Sequence, residues 1–199
     1  HVGGGSWGGT LAIEYGARRR AGTASLIVQS PLVSTKSWIA DANLLRSRMP
    51  PETRTTLEKC DTAAPPPEAT CQAATWEFYR RHVILARRAE GIAEYRAQAP
   101  RDAGDTLYQR MWGKAEFVST GTLKNYDGEP LLKKLDGPRT LFVCGEYDEA
   151  RPETVAKFAA RVPGATFKEI AGSAHSILSD QPQAYLALLR GWMARHDAA

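Results

Sequence analysis

Near its start the chain contains the glycine-rich motif Gly3-Gly4-Gly5-Ser6-Trp7-Gly8-Gly9, which is the most informative part of the sequence about the fold. It predicts a sharp turn that joins the end of a strand to a helix, in which Leu11 and Tyr15 recur at helical spacing. The apolar run Ala24–Val28 follows, and short β-rich runs of this kind are typical of strands buried in a parallel sheet. Residues 1–30 therefore predict a strand, a turn, a helix and a second strand.

The last third of the chain alternates between strands and helices. Thr140–Cys144 and Thr166–Ile170 have the composition of strands, and Pro152 opens a predicted helix between them. A final helix places Tyr185 and Trp192 on one apolar face. Strands that alternate with helices indicate an α/β fold in which a parallel sheet is connected by right-handed crossovers.

The middle of the chain has a different composition from both flanks. Its predicted helices are separated by proline clusters, and no convincing strand precedes Arg139. These helices cover Lys36–Arg48, Glu52–Cys60 and Glu68–Arg88. A helical insertion between two strands is typical of a lid over an α/β core. We therefore predict a core formed by residues 1–30 and 136–199, and a helical cap over residues 31–135.

The overall composition excludes several classes of protein. The 199 residues are 43% hydrophobic and 24% charged, with a formal net charge of +4, as in ordinary globular domains. No run approaches the roughly 18 consecutive apolar residues that a membrane-spanning helix needs. The positive charge is dispersed, which argues against nucleic-acid binding. We expect no membrane or nucleic-acid partner.

The three cysteines argue against a metal site, because they form neither a CxxC pair nor a cluster with histidine. We therefore expect no metal and no cofactor. Cys60 and Cys71 flank three consecutive prolines and are close enough in sequence to form a disulfide. A disulfide would indicate a periplasmic or secreted protein. The expectation from sequence is instead two reduced thiols in a cytoplasmic protein.

The serine of the glycine-rich turn is a candidate nucleophile. Gly4–Gly8 matches Gly-x-Ser-x-Gly, in which the serine sits on a strained strand-to-helix turn. The N-terminus of the following helix points at the site, so the Trp7 amide can donate to an oxyanion. Asp148 and His175 each follow a predicted strand and should meet Ser6 at the same edge of the sheet. These three residues are the predicted catalytic triad.

The acid of the triad has local alternatives. Glu146 and Glu149 flank Asp148 in the same loop, and either carboxylate could take its place. The chain order Ser, Asp, His is the order found in α/β-hydrolases. An elbow serine also argues against epoxide hydrolases and dehalogenases, which use aspartate at that position.

The chain resembles the proline iminopeptidase family of α/β-hydrolases, and in particular its tricorn-interacting aminopeptidase branch. The elbow Gly4–Ala12 carries the first resemblance. The second is carried by four further segments: Phe78–His82, Met111–Phe117, Thr120–Lys124 and Gly145–Glu149. The resemblance implies a serine aminopeptidase that releases an N-terminal proline or apolar residue from short peptides or amino-acid amides through an acyl-enzyme.

The resemblance also implies how a substrate would be recognised. Family members hold the free α-ammonium of the substrate with acidic residues of the lid, and by motif position these are Glu116 and, as a second candidate, Glu77. Four aromatic residues of the cap are candidates either for an apolar side-chain pocket or for the core of the lid, namely Trp76, Phe78, Trp112 and Phe117.

The chain departs from the family pattern at its start. The family's His-Gly-Gly-Pro-Gly loop, which supplies a second oxyanion donor, has no counterpart in this sequence. The resemblance therefore predicts an α/β-hydrolase fold without its N-terminal strands. Two alternatives stay open: an amino-acid amidase or esterase of the same fold, and a truncated hydrolase module without activity.

Overall fold

The structure is a computed structural model that describes residues 1–85 and 107–197. Its centre is one sheet of four parallel strands in the order β1-β2-β3-β4. The strands are β1 (Val2–Gly5), β2 (Leu26–Gln29), β3 (Thr140–Gly145) and β4 (Thr166–Ile170). The predicted parallel α/β sheet is thus confirmed. Because all four strands are parallel, the loops after them emerge at the same edge of the sheet.

Seven α-helices of the described residues accompany this sheet. In chain order they are α1 (Trp7–Gly16), α2 (Thr35–Ser47), α3 (Pro51–Cys60), α4 (Glu68–His82), α5 (Pro152–Ala160), α6 (Ile177–Asp180) and α7 (Pro182–Asp197). Residues 107–111 are also helical, and 3-10 helices span Glu129–Lys134 and Gly137–Arg139. The predicted extension of α4 to Arg88 reaches residues that lie outside those described.

The two faces of the sheet are covered by different helices, as the alternation along β3 requires. Phe142 and Cys144 join the cluster that α1 and α5 complete with Ile13 and Phe158. Leu141 and Val143 point to the other face, where residues of α7 cover them. All six residues of β3 are buried, which explains its unbroken apolar composition.

The cap has an apolar cluster of its own between α2, α3, α4 and the segment around Phe117. Phe78 is fully buried at its centre, and Leu45 and Leu57 pack around it. A disulfide joins Cys60, the last residue of α3, to Cys71 in the first turns of α4. The expectation of two reduced thiols is therefore wrong.

Membrane-spanning helices and metal-binding clusters are both absent from the described residues. None of the helices in residues 1–85 and 107–197 has the length and apolar character needed to cross a membrane. Over the same two ranges, no group of three or more His, Cys, Asp or Glu side chains is arranged to hold a metal ion.

Candidate active site

Ser6 occupies a strained turn between β1 and α1, at φ 55° and ψ −123°. Few residues other than glycine adopt a positive φ, and serine nucleophiles are a known exception. A Cβ atom on Gly4 would lie 2.3 Å from the carbonyl oxygen of Gly8, so only glycine fits at the first position of the motif. At Gly8 itself a Cβ would meet no described atom within 4 Å. Crowding therefore explains the first glycine of the motif but not the second.

Asp148 is buried and holds four hydrogen bonds at the end of β3. Its Oδ1 lies 2.8 Å from His175 Nδ1 and accepts from the Ala150 amide at 2.9 Å. Its Oδ2 accepts from the hydroxyl of Ser30 at 2.5 Å and from the Gly145 amide at 3.2 Å. These donors fix the carboxylate in one orientation, with one oxygen directed at the imidazole.

The proton affinity of His175, the candidate base, is set by opposing effects. Burial lowers its pKa, whereas the charges of Asp148 and Glu116 and the hydrogen bond that His175 donates to Asp148 raise it, and the net pKa lies above the ordinary value for histidine. The edge of the Trp38 ring system packs against the imidazole, with ring centroids 5.8 Å apart. A fixed tautomer with Nδ1–H toward Asp148 leaves Nε2 as the basic nitrogen.

The elbow and the histidine loop are joined through β2. The carbonyl of Gln29 accepts from the Ser6 amide at 3.0 Å, and the side chain of Gln29 donates to the His175 carbonyl at 3.2 Å. Trp38 lines the cavity next to Ser6 and also contacts the His175 ring. Trp7 opens α1, so its amide is one of the helix N–H groups without an intrahelical acceptor.

A cavity of about 230 Å³ opens in front of Ser6. It lies between the sheet edge and the cap, and most of its lining is apolar. The apolar lining residues include Trp7, Leu32, Trp38, Met111, Trp112 and Leu123. Ser6, Glu116 and Tyr108 supply the polar groups. A site of this size and chemistry accommodates one small apolar group next to a charged one.

Two carboxylates lie near His175: Glu116, which is half-buried and lines the cavity, and Glu149, which is buried. Burial raises the pKa of Glu116, whereas His175 and a hydrogen bond from Tyr108 lower it, and the net pKa is raised. Burial, Glu116 and Asp148 all raise the pKa of Glu149, which lies well above the ordinary value. Neither carboxylate oxygen of Glu149 has a hydrogen-bond partner in the described part of the chain. Among the described residues, His175 Nδ1 lies 4.0 Å from Glu149 Oε1, and the charge of His175 also acts on Glu116.

The comparisons with known proteins agree with this fold. The profile of the Alpha/beta hydrolase family matches residues 1–188. A proline iminopeptidase of Heyndrickxia coagulans is 32% identical over 190 residues, which cover 95% of this chain and 65% of that protein. One of Lactiplantibacillus plantarum is 31% identical over 198 residues, which cover 99% of this chain and 68% of that protein. The chain belongs to the proline iminopeptidase family of α/β-hydrolases.

A solved structure supports the same assignment. The crystal structure of the proline iminopeptidase from Mycobacterium smegmatis matches with a TM-score of 0.86 at 31% identity, over 98% of this chain and 65% of that one. The chain thus spans 65 to 68% of the length of these three relatives. The predicted family and the α/β-hydrolase fold are both confirmed.

One expected substrate-binding residue of this α/β-hydrolase lies elsewhere. Glu77 is on α4, where its carboxylate pairs with Arg80 at 3.3 Å and with Arg81 at 2.6 Å. It does not line the cavity in front of Ser6. The assignment of Glu77 to substrate binding is therefore corrected: its charge is balanced by the two arginines that follow it at i+3 and i+4.

The expected aromatic pocket is also different in part. Trp112 does line the cavity. Phe78 and Phe117 instead form the core of the cap, with their ring centroids 5.0 Å apart, and Trp76 is not among the lining residues. Trp38, which no sequence motif marks, lies next to Ser6 and His175.

Sequence reasoning also missed three polar residues of the site. The sequence offers Glu149 only as a substitute for Asp148. In the structure Tyr108 hydrogen-bonds Glu116, and Ser30 donates to Asp148. The one available signal was the Asp148-Glu149 pair, two acids in succession after a buried strand. Nothing in a sequence shows that the second of them is buried.

Proposed function

We propose that this α/β-hydrolase is a serine aminopeptidase that releases an N-terminal proline or another small apolar residue from short peptides. Ser6 attacks the carbonyl carbon of the first residue. His175 takes the proton of the serine and later delivers it to the leaving amine, while Asp148 holds the imidazole in place and stabilises its charged form. Water then hydrolyses the acyl-enzyme.

The Trp7 amide supplies one hydrogen bond to the oxyanion. As a first-turn amide of α1 it lies directly after the nucleophile, which is where the α/β-hydrolase oxyanion hole takes one of its two donors. One such donor typically contributes about 10²- to 10³-fold to turnover. No cofactor takes part in this chemistry.

The proposal rests mainly on two carboxylates near His175, those of Glu116 and Glu149. Glu149 is buried, Glu116 lines the cavity, and burial raises the pKa of both; the charge of Glu116 raises the pKa of Glu149 further. A substrate ammonium beside them would favour the charged forms of both carboxylates and donate to Glu149, whose oxygens have no hydrogen-bond partner among the described residues. Buried charges are stable only when they are paired, so a free α-amine would bind strongly and an acylated one would not.

The apolar walls of the cavity suit the side chain of that first residue. A volume of about 230 Å³ is smaller than typical drug-sized pockets of about 300–1,000 Å³. It therefore favours one residue over a longer segment of peptide. In this proposal the cap (residues 31–135) supplies Trp38 and Glu116, and the core supplies the triad and Glu149.

Hydrolysis of the p-nitroanilides of proline and alanine, each compared with its N-acetyl derivative, tests this function. The intact protein should hydrolyse only the forms with a free amine. Glu116→Gln and Glu149→Gln should each raise KM for these substrates by at least about tenfold, since a charge-assisted hydrogen bond is worth about 1.5–3 kcal/mol. Glu77→Gln is the matched control and should leave KM unchanged.

Other results would point to a different activity. Equal turnover of free and acetylated substrates would favour a general amidase or esterase. Absence of turnover, together with absence of Ser6 labelling by a fluorophosphonate, would favour a module without activity. Normal turnover by Ser6→Ala or His175→Ala would overturn the triad assignment.

The Cys60–Cys71 disulfide bears on where the protein acts. Structural disulfides persist in oxidising compartments and are rare in the cytosol. We therefore propose a periplasmic or secreted location in place of the cytoplasm. Trapping the thiols of the protein with an alkylating agent in intact cells, followed by mass spectrometry, tests this proposal: alkylated Cys60 and Cys71 would contradict it.

A further inference from the structure

His82, the last residue of α4, hydrogen-bonds both loops that carry the proposed acid and base. Its Nδ1–H donates to the carbonyl oxygen of Tyr147 at 2.9 Å. Its own carbonyl oxygen accepts from the Glu149 amide at 3.1 Å and from the His175 amide at 3.2 Å. One residue of the cap thereby holds the main chain on both sides of Asp148 and the main chain of His175.

This arrangement follows from the end of a helix. The last carbonyl groups of an α-helix have no intrahelical donor, and here the two catalytic loops supply donors to the carbonyl of His82. The next residue continues the contact, because Val83 O accepts from the Ser176 amide at 2.8 Å. The negative end of the α4 dipole faces the His175 loop, where an imidazolium forms during the reaction.

The imidazole of His82 is held firmly in the form that this role requires. Its ring packs against the fully buried Phe78, with centroids 5.0 Å apart. Burial lowers the pKa of His82, although the Tyr147 carbonyl and Asp148 act in the opposite direction. The side chain is therefore neutral at neutral pH, with its proton on Nδ1 toward Tyr147.

We propose that His82 is a positioning residue that keeps Asp148 and His175 in hydrogen-bonding register from the cap. The inference rests on the proposed function, since it concerns the pair that activates Ser6. His82 itself does not line the cavity. It acts on the reaction only through the main chain of Tyr147, Glu149 and His175.

The test measures the rate at which a fluorophosphonate labels Ser6, because labelling needs an activated serine but no particular substrate. His82→Ala removes the bond to Tyr147 and should slow labelling by about 10- to 100-fold, the effect expected of a small misplacement of catalytic groups. His82→Asn should restore most of the rate, since its amide nitrogen can take the place of Nδ1. His196→Ala is the matched control: His196 also bonds backbone carbonyls, those of Trp192 and Pro138, away from the site.

The pH profile of labelling separates positioning from a loss of stability. The ionisable groups that face His175 are Asp148, Glu149 and Glu116. If Asp148 moves away from His175 in His82→Ala, the pKa of His175 should fall. The acidic limb of the labelling-rate profile should then shift to lower pH. His82→Asn cannot be protonated, yet it should return the limb to its wild-type position. A thermal denaturation curve for each variant gives its folded fraction. Dividing the labelling rate by this fraction corrects for a loss of stability.

The outcomes distinguish a failure of the positioning role from a failure of the proposed function. A rate and a pH limb in His82→Ala equal to those of the wild type would overturn the positioning role and leave the proposed function intact. The positioning role would also be overturned if His82→Asn labelled slowly and its acidic limb were shifted as in His82→Ala. The charge of His82 rather than its hydrogen bond would then matter. A wild-type protein that does not label at all would overturn the proposed function, and the role of His82 with it.

Discussion

The hydroxyl of Ser30 donates to Oδ2 of Asp148 across 2.5 Å, and both residues are buried. Ser30 follows β2 directly, has a positive φ of 43° and donates its amide to the carbonyl of Val143 in β3. The parallel register of β2 and β3 therefore brings its side chain to the acid. Because Oδ2 is bonded to Ser30, Oδ1 is the oxygen that remains for His175.

Ser30→Ala should weaken both folding and catalysis. It leaves a buried carboxylate without one donor, and hydrogen bonds to charged groups contribute about 1.5–3 kcal/mol. The free energy of unfolding should fall by that amount, and kcat should fall while KM for proline p-nitroanilide stays constant. Ser47→Ala is the control, because the hydroxyl of Ser47 donates to a carbonyl on an exposed part of α2. If Ser30→Ala kept both its stability and its kcat, the hydrogen bond between Ser30 and Asp148 would contribute to neither folding nor catalysis.

The acidic limb of the labelling rate should lie above pH 6.5, the ordinary pKa of histidine. Burial lowers the pKa of His175, but Asp148 and Glu116 more than compensate for it. A general base acts when neutral, so activity is lost as the pH falls through this raised pKa. Glu116→Gln removes one of the raising charges and should move the limb to lower pH. Glu58→Gln, on the exposed surface of α3, should leave it in place.

The buried Glu149 should make the protein less stable as the pH rises. Its pKa is higher in the folded state than in the unfolded chain, so the folded state binds more protons between the two values, and stability falls as pH rises through that window. Glu149→Gln should therefore be more stable than the wild type at pH 8, by about 0.5–2 kcal/mol. Near pH 4, where the carboxyl is protonated in both states, the difference should vanish. Thermal denaturation at both pH values checks this expectation.

The combined effects of Glu149→Gln on stability and on KM test whether Glu149 has a functional role. Glu149→Gln is expected to stabilise the protein and to raise KM for substrates with a free amine. A residue that lowers stability while improving binding is typical of functional sites. A variant that was more stable but bound substrate normally would show that Glu149 is not part of the amine site.

The sheet and the elbow could be predicted because their signals are local. The apolar run of β3 and the glycines around Ser6 determine backbone conformation within a few residues. The edge at which Asp148 and His175 emerge then follows from the direction of the strands alone. For this reason the candidate triad could be selected before the structure was known.

Glu149, unlike Glu116, could not be assigned to the proposed amine site from sequence, because its burial depends on distant contacts. Glu77 and Glu149 are equally acidic in sequence, but Glu77 faces Arg80 and Arg81 on its own helix, whereas Glu149 is enclosed between core and cap. The arginines at i+3 and i+4 were a usable sign that Glu77 is neutralised locally. No comparable sign marks the connection of His82 to the catalytic loops, which joins residues more than sixty positions apart.

The Cys60–Cys71 disulfide should stabilise the cap without taking part in the chemistry. It closes a short loop between α3 and α4, and a loop of this size contributes about 3 kcal/mol in the chain-entropy account. The denatured, non-reduced protein should show one free thiol, from Cys144, and three after reduction. Reduction should lower the melting temperature of the wild type but not that of a Cys60→Ala/Cys71→Ala variant.

If α4 positions the catalytic loops through its end at His82, loosening its start should also slow labelling of Ser6. A reduced protein with an unchanged melting temperature would mean that the apolar cluster around Phe78 holds the cap by itself.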